Sequence, residues 1–224
     1  MIREFSISEV WFLVQAVRWT LLLTVMAFLG GGTAGLMIAI MRVAKRNVVR
    51  ALASGYIKVF QGTPLLMQLY LVYFGSNLLG FRPDAWVSAA LGLTFYSSAF
   101  LGEIWRGCIQ AIPLSQWEGG QALSFSHWLQ LRLIILPQAF RIAIPPTVGF
   151  LVQILKGTSL ASIIGFTELT RAAQMVNNAT FRPFIVYALV AALYFILCWP
   201  LSLLSQRLER RLDIRMLETV KAAV

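Results

Sequence analysis

Charged residues are scarce in this chain of 224 residues: Asp, Glu, Lys and Arg make up 12% of it, whereas hydrophobic residues make up 58%. Soluble domains carry about a quarter charged residues, so this sequence has about half of what a water-facing surface needs. The deficit excludes an ordinary soluble domain and indicates an integral membrane protein. The formal charge of +10 does not indicate nucleic-acid binding, because the basic residues cluster between apolar runs.

Residues that carry catalysis or bind metals are also few. His127 is the one histidine, and the two cysteines, Cys108 and Cys198, lie in or near apolar runs where they suit packing. The sequence has no phosphate-binding loop of the form G-x-x-x-x-G-K-[ST], so we expect no ATP hydrolysis by this chain alone. It has no metal-ligand spacing, and we expect neither a metal site nor a cleavable signal peptide.

Long apolar runs occupy most of the chain. A helix needs about 20 apolar residues to cross a bilayer, and five segments meet or approach that length. Residues 1–18 have an irregular apolar pattern and are expected to lie along the membrane surface. The sequence therefore predicts an all-α integral membrane protein with about five transmembrane helices. The predicted spans are Trp19–Met41, Tyr56–Leu79, Ala85–Ile109, Gln138–Phe166 and Pro183–Gln206.

The basic residues predict the orientation, because loops rich in Lys and Arg stay in the cytoplasm. One side has Arg3, Arg82, Arg171 and Arg182, with Arg18 near a boundary, and the other side has many more. We therefore expect the N-terminus outside the cell and the C-terminus inside. The basic residues expected in the cytoplasm are Arg42, Lys45, Arg46, Arg50, Arg106, Arg132, Arg141, Arg207, Arg210, Arg211, Arg215 and Lys221.

The segment Glu118–Pro137 is longer and more apolar than a simple connection needs to be. Its apolar residues recur at three- and four-residue steps, which predicts an apolar face on a helix. Pro137 is expected to stop that helix just before the next apolar run. On the predicted cytoplasmic side, such a face indicates a docking surface. Its members are Ala122, Phe125, Trp128 and Leu129.

The loops predicted on the outer side are unequal in length. Gly80–Asp84 is a tight turn, whereas Thr167–Arg182 is long enough for a short surface helix that caps the outer face. The sequence has no low-complexity stretch, long linker or obvious internal repeat, so we predict a single domain over residues 1–224.

Three charges fall inside predicted spans, where each one costs free energy unless it is paired or hydrated. Glu103 is expected to pair with Lys58 or with Arg106, and Lys58 can also extend its charged end to the inner membrane surface. Lys156 begins the run Lys156–Ser159, whose glycine and hydroxyl residues permit an unwound turn. Because a membrane tolerates such a turn only where protein or water surrounds it, the run is either part of a solute path or a flexible kink.

Two further interruptions contain proline. Pro64 removes a backbone donor and Gly62 loosens the turn in Gln61–Pro64, which predicts a break in the second span. This break is either a hinge or path-lining element, or a kink that aids packing. Pro145 and Pro146 predict a kink in the fourth span without a role in function.

Four stretches together resemble the membrane permease subunits of ATP-binding-cassette (ABC) importers, of the polar amino-acid type. Each stretch is a weak signal alone, but their order and spacing together are specific, and the likeness extends from about Trp19 to Arg211. The stretches are Val59–Leu66, Gly102–Gly107, Glu118–Arg141 and Lys156–Ser162.

The third stretch is similar to the coupling pattern of that family, which reads Glu-Ala-Ala, three residues, Gly, nine residues, Ile, one residue, Leu-Pro. Here Gly119 and Gly120 replace the alanines and Ser124 replaces the glycine, so we expect the helix to fray at its start or to begin at Gln121. The resemblance implies that this segment docks in a groove of a separate ATPase subunit. The residues it implies are Glu118, Gly119, Gly120, Ala122, Ser124, Phe125, Ile134, Leu136 and Pro137.

The resemblance also implies the partners. These are a dimer of ABC ATPase subunits that hold ATP and Mg²⁺, a second permease chain of the same or a similar kind, and a periplasmic or lipoprotein solute-binding protein. It implies that this chain holds no cofactor and carries an amino acid across the bacterial cytoplasmic (inner) membrane. Gly157 stands where many relatives have an acid, which disfavours a cationic amino acid as cargo. The implied solute path includes Gln61, Thr63, Glu103, Lys156, Thr158 and Ser159.

Two other classes of function remain open from the sequence. One is an ion-driven secondary transporter with Glu103 as its proton site. The other is a membrane enzyme or assembly scaffold, in which His127 would be the base.

Overall fold

The structure, a computed structural model, describes residues 4–222, with side chains described through residue 212. Arg3 and the side chains of Arg215 and Lys221, which we used to predict the orientation, lie outside the described residues. Within the described range every regular element is a helix. In chain order the helices are α1 (Ile7–Arg42), α2 (Asn47–Gly62), α3 (Leu65–Leu78), α4 (Ala85–Gln110), α5 (Leu114–Ala122), α6 (His127–Ile164), α7 (Leu169–Thr180) and α8 (Pro183–Ala222).

Among the described residues, four helices are long and apolar enough to cross a membrane, namely α1, α4, α6 and α8. The predicted span Tyr56–Leu79 is instead divided between α2 and α3. Thr63 has extended backbone, and α3 begins directly after Pro64. Proline disfavours a helical conformation in the residue before it and cannot donate a helix hydrogen bond, and the chain breaks here as the sequence predicts. The all-α prediction is confirmed, and the count of five spans and the orientation remain predictions.

The prediction that residues 1–18 lie separately along the membrane surface is wrong. α1 is continuous from its first residue, and its buried positions Leu13 and Ala16 pack with α7 and α8. The same buried stripe continues along the helix at Leu23 and Ala27. Because this three- and four-residue spacing is unbroken, the early residues continue α1 rather than forming a separate helix.

α1 and α4 pack closely because small residues line their contact. Gly31 and Gly35 of α1 are buried against α4. A methyl group on Gly102 of α4 would lie 2.9 Å from Ile38 Cγ2, closer than side chains normally approach. Small residues let two helix backbones approach within a membrane, so this pair forms the centre of the fold.

α6 continues through the proline that was predicted to stop it. Residues Leu131–Ile135 form a π turn, and regular α-helix resumes at Leu136, so Pro137 occupies the first turn of the resumed helix. A proline needs no backbone donor at that position, and the wider π turn leaves its ring room. The predicted helix stop at Pro137 is therefore wrong. Pro145 and Pro146 also lie inside α6.

The predicted unwound turn at Lys156–Ser159 is also wrong. Gly157 has a helical φ of −62°, and from Thr158 onward the helix tightens into a 3₁₀ segment that ends at Gly165, where φ is 89°. The Thr158 and Ser159 hydroxyls donate to the carbonyl oxygens of Leu155 and Lys156, both at 2.7 Å. These hydroxyls therefore bond to their own helix instead of opening it.

The short helix predicted within Thr167–Arg182 is present as α7. Glu168 caps its first turn by accepting a hydrogen bond from the Arg171 backbone N–H. The buried face of α7, which includes Leu169 and Val176, packs against α1 and α8.

Candidate functional site

The segment with the family's coupling pattern forms a corner between two helices. α5 begins after Pro113 and ends at Ala122, and α6 begins after Ser126, whose hydroxyl accepts a hydrogen bond from the Leu129 backbone N–H at 3.3 Å. Ser124, in the turn between them, has a φ of 57°. The residues predicted to share one helical face therefore belong to three parts: the end of α5, the turn and the start of α6. The prediction of one apolar helix face is wrong, and so is the expected fraying or late start at Gln121.

α5 is fixed against the first turns of α6 by a close contact. Gly120 is buried, and a methyl group there would lie 2.8 Å from Gln130 Cγ. The Gln130 side chain is itself anchored, because its Nε2 donates to the Phe125 carbonyl oxygen at 2.9 Å. Further along, Gln138 Nε2 donates to Gln116 Oε1 at 3.3 Å. These contacts join α5 and the start of α6 into one unit.

His127 contributes to the same unit as a packing residue. Its ring stacks on Trp117 with centroids 5.6 Å apart and an interplanar angle of 17°. Its Nε2 lies 3.3 Å from the Val43 carbonyl oxygen, to which it donates in the tautomer protonated at Nε2. The histidine thus ties the corner to the end of α1.

The predicted coupling residues divide between the surface and the core of this corner. Ile134 and Leu136 pack with the buried side chains of Ile109 and Ile135, so they support the corner from beneath. Glu118, Gly119, Ala122, Ser124 and Pro137 are exposed, Gly120 is buried, and Phe125, Ile134 and Leu136 are half-buried.

Large apolar side chains that the coupling prediction left out cover the outside of the corner. Leu114 is 70% exposed, Leu123 is 66% exposed, and Trp128 and Leu133 are each 56% exposed. Trp128 was predicted to lie on the apolar face, but the other three were not. A count of apolar residues in this otherwise polar segment would have found Leu123 and Leu133. The corner therefore presents exposed apolar side chains, which together we call the docking corner: Leu114, Leu123, Trp128 and Leu133.

A cleft of about 440 Å³ lies between α2, α4 and α6. Gln61 from the end of α2, Glu103 and Arg106 from α4, and Ile142 and Pro146 from α6 contribute to its lining. Two of the predicted path residues, Gln61 and Glu103, therefore share one open cleft.

The charges in this cleft form a cluster around Glu103. Arg106 Nε donates to Glu103 Oε2 at 2.8 Å and Arg106 Nη2 donates to Oε1 at 2.6 Å, so the pair predicted from their spacing is present. Arg106 also donates to Gln110. Arg42, at the end of α1, places its Nε 3.8 Å from Glu103 Oε2. Lys58, the other predicted partner, is exposed on α2.

The other predicted path residues lie outside the lining of the cleft. Lys156 is exposed and Thr158 is buried. Thr63 accepts a hydrogen bond from Gln68 Nε2 at 3.0 Å. A methyl group on Gly157 would lie 3.1 Å from Leu65 Cδ2, so the 3₁₀ end of α6 meets the start of α3. The two interruptions predicted from the sequence are therefore neighbours in space.

A buried carboxyl group that the sequence analysis did not single out lies where α7 meets α1 and α8. Glu168 is fully buried, and its Oε2 accepts a hydrogen bond from the Tyr194 hydroxyl of α8 at 2.9 Å. The next residue, Leu169, donates its backbone N–H to Thr20 Oγ1 of α1 at 3.1 Å. Burial raises the pKa of Glu168 above its usual range. An acidic residue directly before an amphipathic helix is a capping signal that could have identified it.

Comparison with known proteins places this arrangement in a family. Residues 31–216 match the family described as binding-protein-dependent transport system inner membrane component. The L-cystine transport system permease protein TcyB of Bacillus subtilis (strain 168) is 35% identical over 213 residues, which cover 91% of each protein. The probable amino-acid ABC transporter permease protein YckA of the same organism is 31% identical over 208 residues, which cover 93% of this chain and 92% of YckA.

The fold agrees with a solved structure of the same kind. A crystal structure of an amino acid ABC transporter with histidines matches with a TM-score of 0.86 and 35% identity, covering 92% of this chain and 96% of that chain. The apolar spans, the coupling pattern and these likenesses together show that the chain is a multi-pass membrane protein of the binding-protein-dependent transport system family, the permease subunits of ABC transporters.

Proposed function

We propose that this chain is the permease subunit of an ATP-driven importer of a polar amino acid in the bacterial cytoplasmic membrane. It works with a dimer of ATPase subunits, which hold ATP and Mg²⁺, a second permease chain and an external solute-binding protein. Its family, which works with ATPase subunits and binding proteins in general, supports this proposal. The names of its relatives, which include an L-cystine permease and a probable amino-acid permease, support the class of cargo.

The docking corner is the observation that carries the proposal. Its large apolar side chains are more than half exposed, although the neighbouring segment is polar. An exposed apolar patch rimmed by polar residues is typical of a surface that another protein covers. The predicted orientation places this surface in the cytoplasm, where an ATPase subunit can bind it.

The packing beneath the docking corner couples a movement of the corner to a movement of α6. Since Gly120 and Gln130 hold α5 against α6, a displacement of the corner moves the start of α6 with it. Further along, α6 supplies Ile142 and Pro146 to the cleft. ATP-driven closure of the ATPases would thus move α6 and change the side of the membrane to which the cleft opens. Alternating access requires such a change.

The solute path that we propose includes the cleft at its inner end. Gln61 and Glu103 line it, and the contact between α3 and α6 lies further along α6. The polar residues next to that contact in the sequence would continue the path toward the outer side. They are Thr63, Lys156, Thr158 and Ser159.

The decisive experiment tests the docking corner in the assembled complex. The permease is purified from native membranes with its ATPase subunits, as wild type and with Leu123→Asp or Trp128→Asp. A buried carboxylate in an apolar interface is costly, so we expect each variant to retain less than about a tenth of the bound ATPase, which corresponds to about 1.4 kcal/mol.

A matched control separates this loss from a general effect of charge. Phe181 is also a large exposed apolar residue, at 69%, but it follows α7 on the predicted outer side. Phe181→Asp should retain the ATPase at the wild-type level. Equal retention in all three variants would contradict the proposed docking surface. Uptake driven by a proton gradient in vesicles without ATP would indicate an ion-driven transporter instead.

A further inference from the structure

The ion cluster around Glu103, in the cleft between α2, α4 and α6, has a surplus of positive charge, which Arg42 supplies from outside the lining. Among the described residues that line it, Glu103 is the one acidic residue, and both of its oxygens accept hydrogen bonds from Arg106. Arg42 lies 3.8 Å from the same carboxylate. Two guanidinium groups therefore face one carboxylate, so the cluster has a net charge of +1. A cationic side chain entering the cleft would find no unpaired carboxylate among these lining residues.

Arg106 keeps the capacity to bind a carboxylate from a ligand. A guanidinium group has five N–H donors, and the bonds to Glu103 and Gln110 use three of them. The side chain of Arg106 is 20% exposed, so the remaining donors are not fully enclosed. Arg42 adds to the positive potential, and its buried Nε has no hydrogen-bond partner among the described residues. Guanidinium groups with free donors recognise carboxylates well.

The wall of the cleft formed by α2 offers a hydrogen-bond acceptor. Gln61 uses its amide nitrogen at 3.5 Å from the Ala99 carbonyl oxygen, which leaves its amide oxygen as an acceptor. An ammonium group needs acceptors of this kind.

We infer that the cleft binds the charged head of an α-amino acid, with Arg106 on the carboxylate and the amide oxygen of Gln61 on the ammonium group. This inference rests on the proposed function and deepens it, because the surplus of charge also assigns the class of side chain. Amino acids with neutral or acidic side chains are favoured over those with cationic side chains. The volume of about 440 Å³ suits a small solute, since small-molecule pockets measure roughly 300–1,000 Å³.

The test measures binding to the purified permease–ATPase complex in lipid nanodiscs by equilibrium dialysis. The probes are L-glutamine, L-glutamate, L-arginine and 4-aminobutanamide, which is L-glutamine without its carboxylate. We expect the wild-type complex to bind L-glutamine at least about tenfold more tightly than 4-aminobutanamide or L-arginine, as expected when one charged contact is lost or opposed. Equal or tighter binding of L-arginine, or of 4-aminobutanamide, would overturn the inference.

Two variants of the same ion pair move the charge of the cleft in opposite directions. Glu103→Gln raises the net charge of the cluster from +1 to +2, whereas Arg106→Gln lowers it to 0. Both variants lose the ion pair between Glu103 and Arg106, so any destabilisation of the fold that follows from this loss should occur in both. We expect the preference for L-glutamate over L-glutamine to rise about three- to tenfold in Glu103→Gln and to fall by a similar factor in Arg106→Gln. Arg106→Gln should also bind both amino acids at least about tenfold more weakly, because it lacks the proposed partner of the α-carboxylate. Arg50→Gln, which changes an exposed arginine outside the lining of the cleft, is the control.

The outcomes separate this inference from the proposed function. A complex that binds amino acids with the expected preferences but does not import them with ATP would contradict the proposed function alone. A complex that imports amino acids while both variants leave the preference unchanged, or shift it in the same direction, would overturn the inference alone. A wild-type complex that binds none of the four probes would also overturn it.

Discussion

Gly119 and Gly120 are adjacent in α5, but their surroundings differ. A methyl group on Gly119 would meet no atom within 4 Å, whereas one on Gly120 would lie 2.8 Å from Gln130 Cγ. Gln130 cannot easily move, because it is buried and its amide is bonded to the Phe125 carbonyl. The two glycines therefore differ in role. Gly119 makes no packing contact, whereas Gly120 allows α5 to lie close to Gln130 of α6.

We predict opposite effects when these glycines are changed to alanine. Gly119→Ala should raise the free energy of unfolding by up to about 1 kcal/mol, because alanine favours a helix over glycine. Gly120→Ala should lower it by about 1–3 kcal/mol, because the added methyl group overpacks the contact with Gln130. Thermal unfolding in detergent checks both variants. A shift in the same direction for both would contradict the close contact.

Single residues also show what the sequence could predict and what it could not. The pair of Glu103 and Arg106 was predictable, because residues three apart face each other on a helix. The second cation, Arg42, comes from α1 and is a tertiary contact that spacing does not reveal. Ser124 sits where the family pattern has glycine, and its φ of 57° gives the physical reason for that glycine. The sequence shows that serine replaces glycine at this position but does not show the left-handed turn, so the spacing of apolar residues alone predicts one helix.

At the scale of elements, α7 is held to its neighbours by polar groups at its first turn. Glu168 connects it to Tyr194 of α8, and Leu169 connects it to Thr20 of α1. Burial raises the pKa of Glu168, so the folded state favours the protonated carboxyl group. In the unfolded chain the pKa of a glutamate is about 4.3. The contribution of Glu168 to stability is therefore fully present below that pH and is lost as the pH rises through the raised pKa.

This argument predicts a pH-dependent difference between wild type and Glu168→Gln. The unfolding temperature of the wild type relative to that of Glu168→Gln should be most favourable near pH 4 and should decline as the pH rises, because the glutamine does not ionise. Unfolding temperatures in detergent across this range provide the measurement. Glu4→Gln, which changes an exposed glutamate, is the control. A difference that is constant or grows with pH would contradict the burial of an ionisable group at this position.

Helix breaks differ in how far the sequence predicts them. Pro64 disfavours a helical backbone at Thr63, which is extended, so the break between α2 and α3 was predictable. Pro137 follows a π turn whose end residues, Leu131 and Ile135, are buried in the fold. Burial of those two side chains holds the turn in place, and a local pattern cannot contain that information. The helix therefore continues through one proline and stops at another.

At the scale of the whole molecule, the orientation is the prediction that the docking corner requires. Cys108 and Cys198 are buried and can be replaced by serine, so that single new cysteines report on each side. We expect a membrane-impermeant maleimide to label Asn178→Cys on α7 in intact cells, but to label Gln121→Cys on α5 only after permeabilisation. Both positions are exposed in the wild type. Labelling of Gln121→Cys in intact cells would place the docking corner outside, where no ATP-hydrolysing subunit could bind it.

The lengths of the terminal helices have a consequence for the outer mouth of the molecule. α1 has 36 residues and α8 has 40, which correspond to about 54 Å and about 60 Å, whereas the hydrocarbon layer is only about 30 Å thick. Even a tilted helix of this length extends past the lipid. In the predicted orientation, α1 overshoots on the outside with α7 beside it, and α8 overshoots toward the cytoplasm. A carrier that brings solute from outside would therefore meet protein that rises beyond the hydrocarbon layer, not an opening level with it.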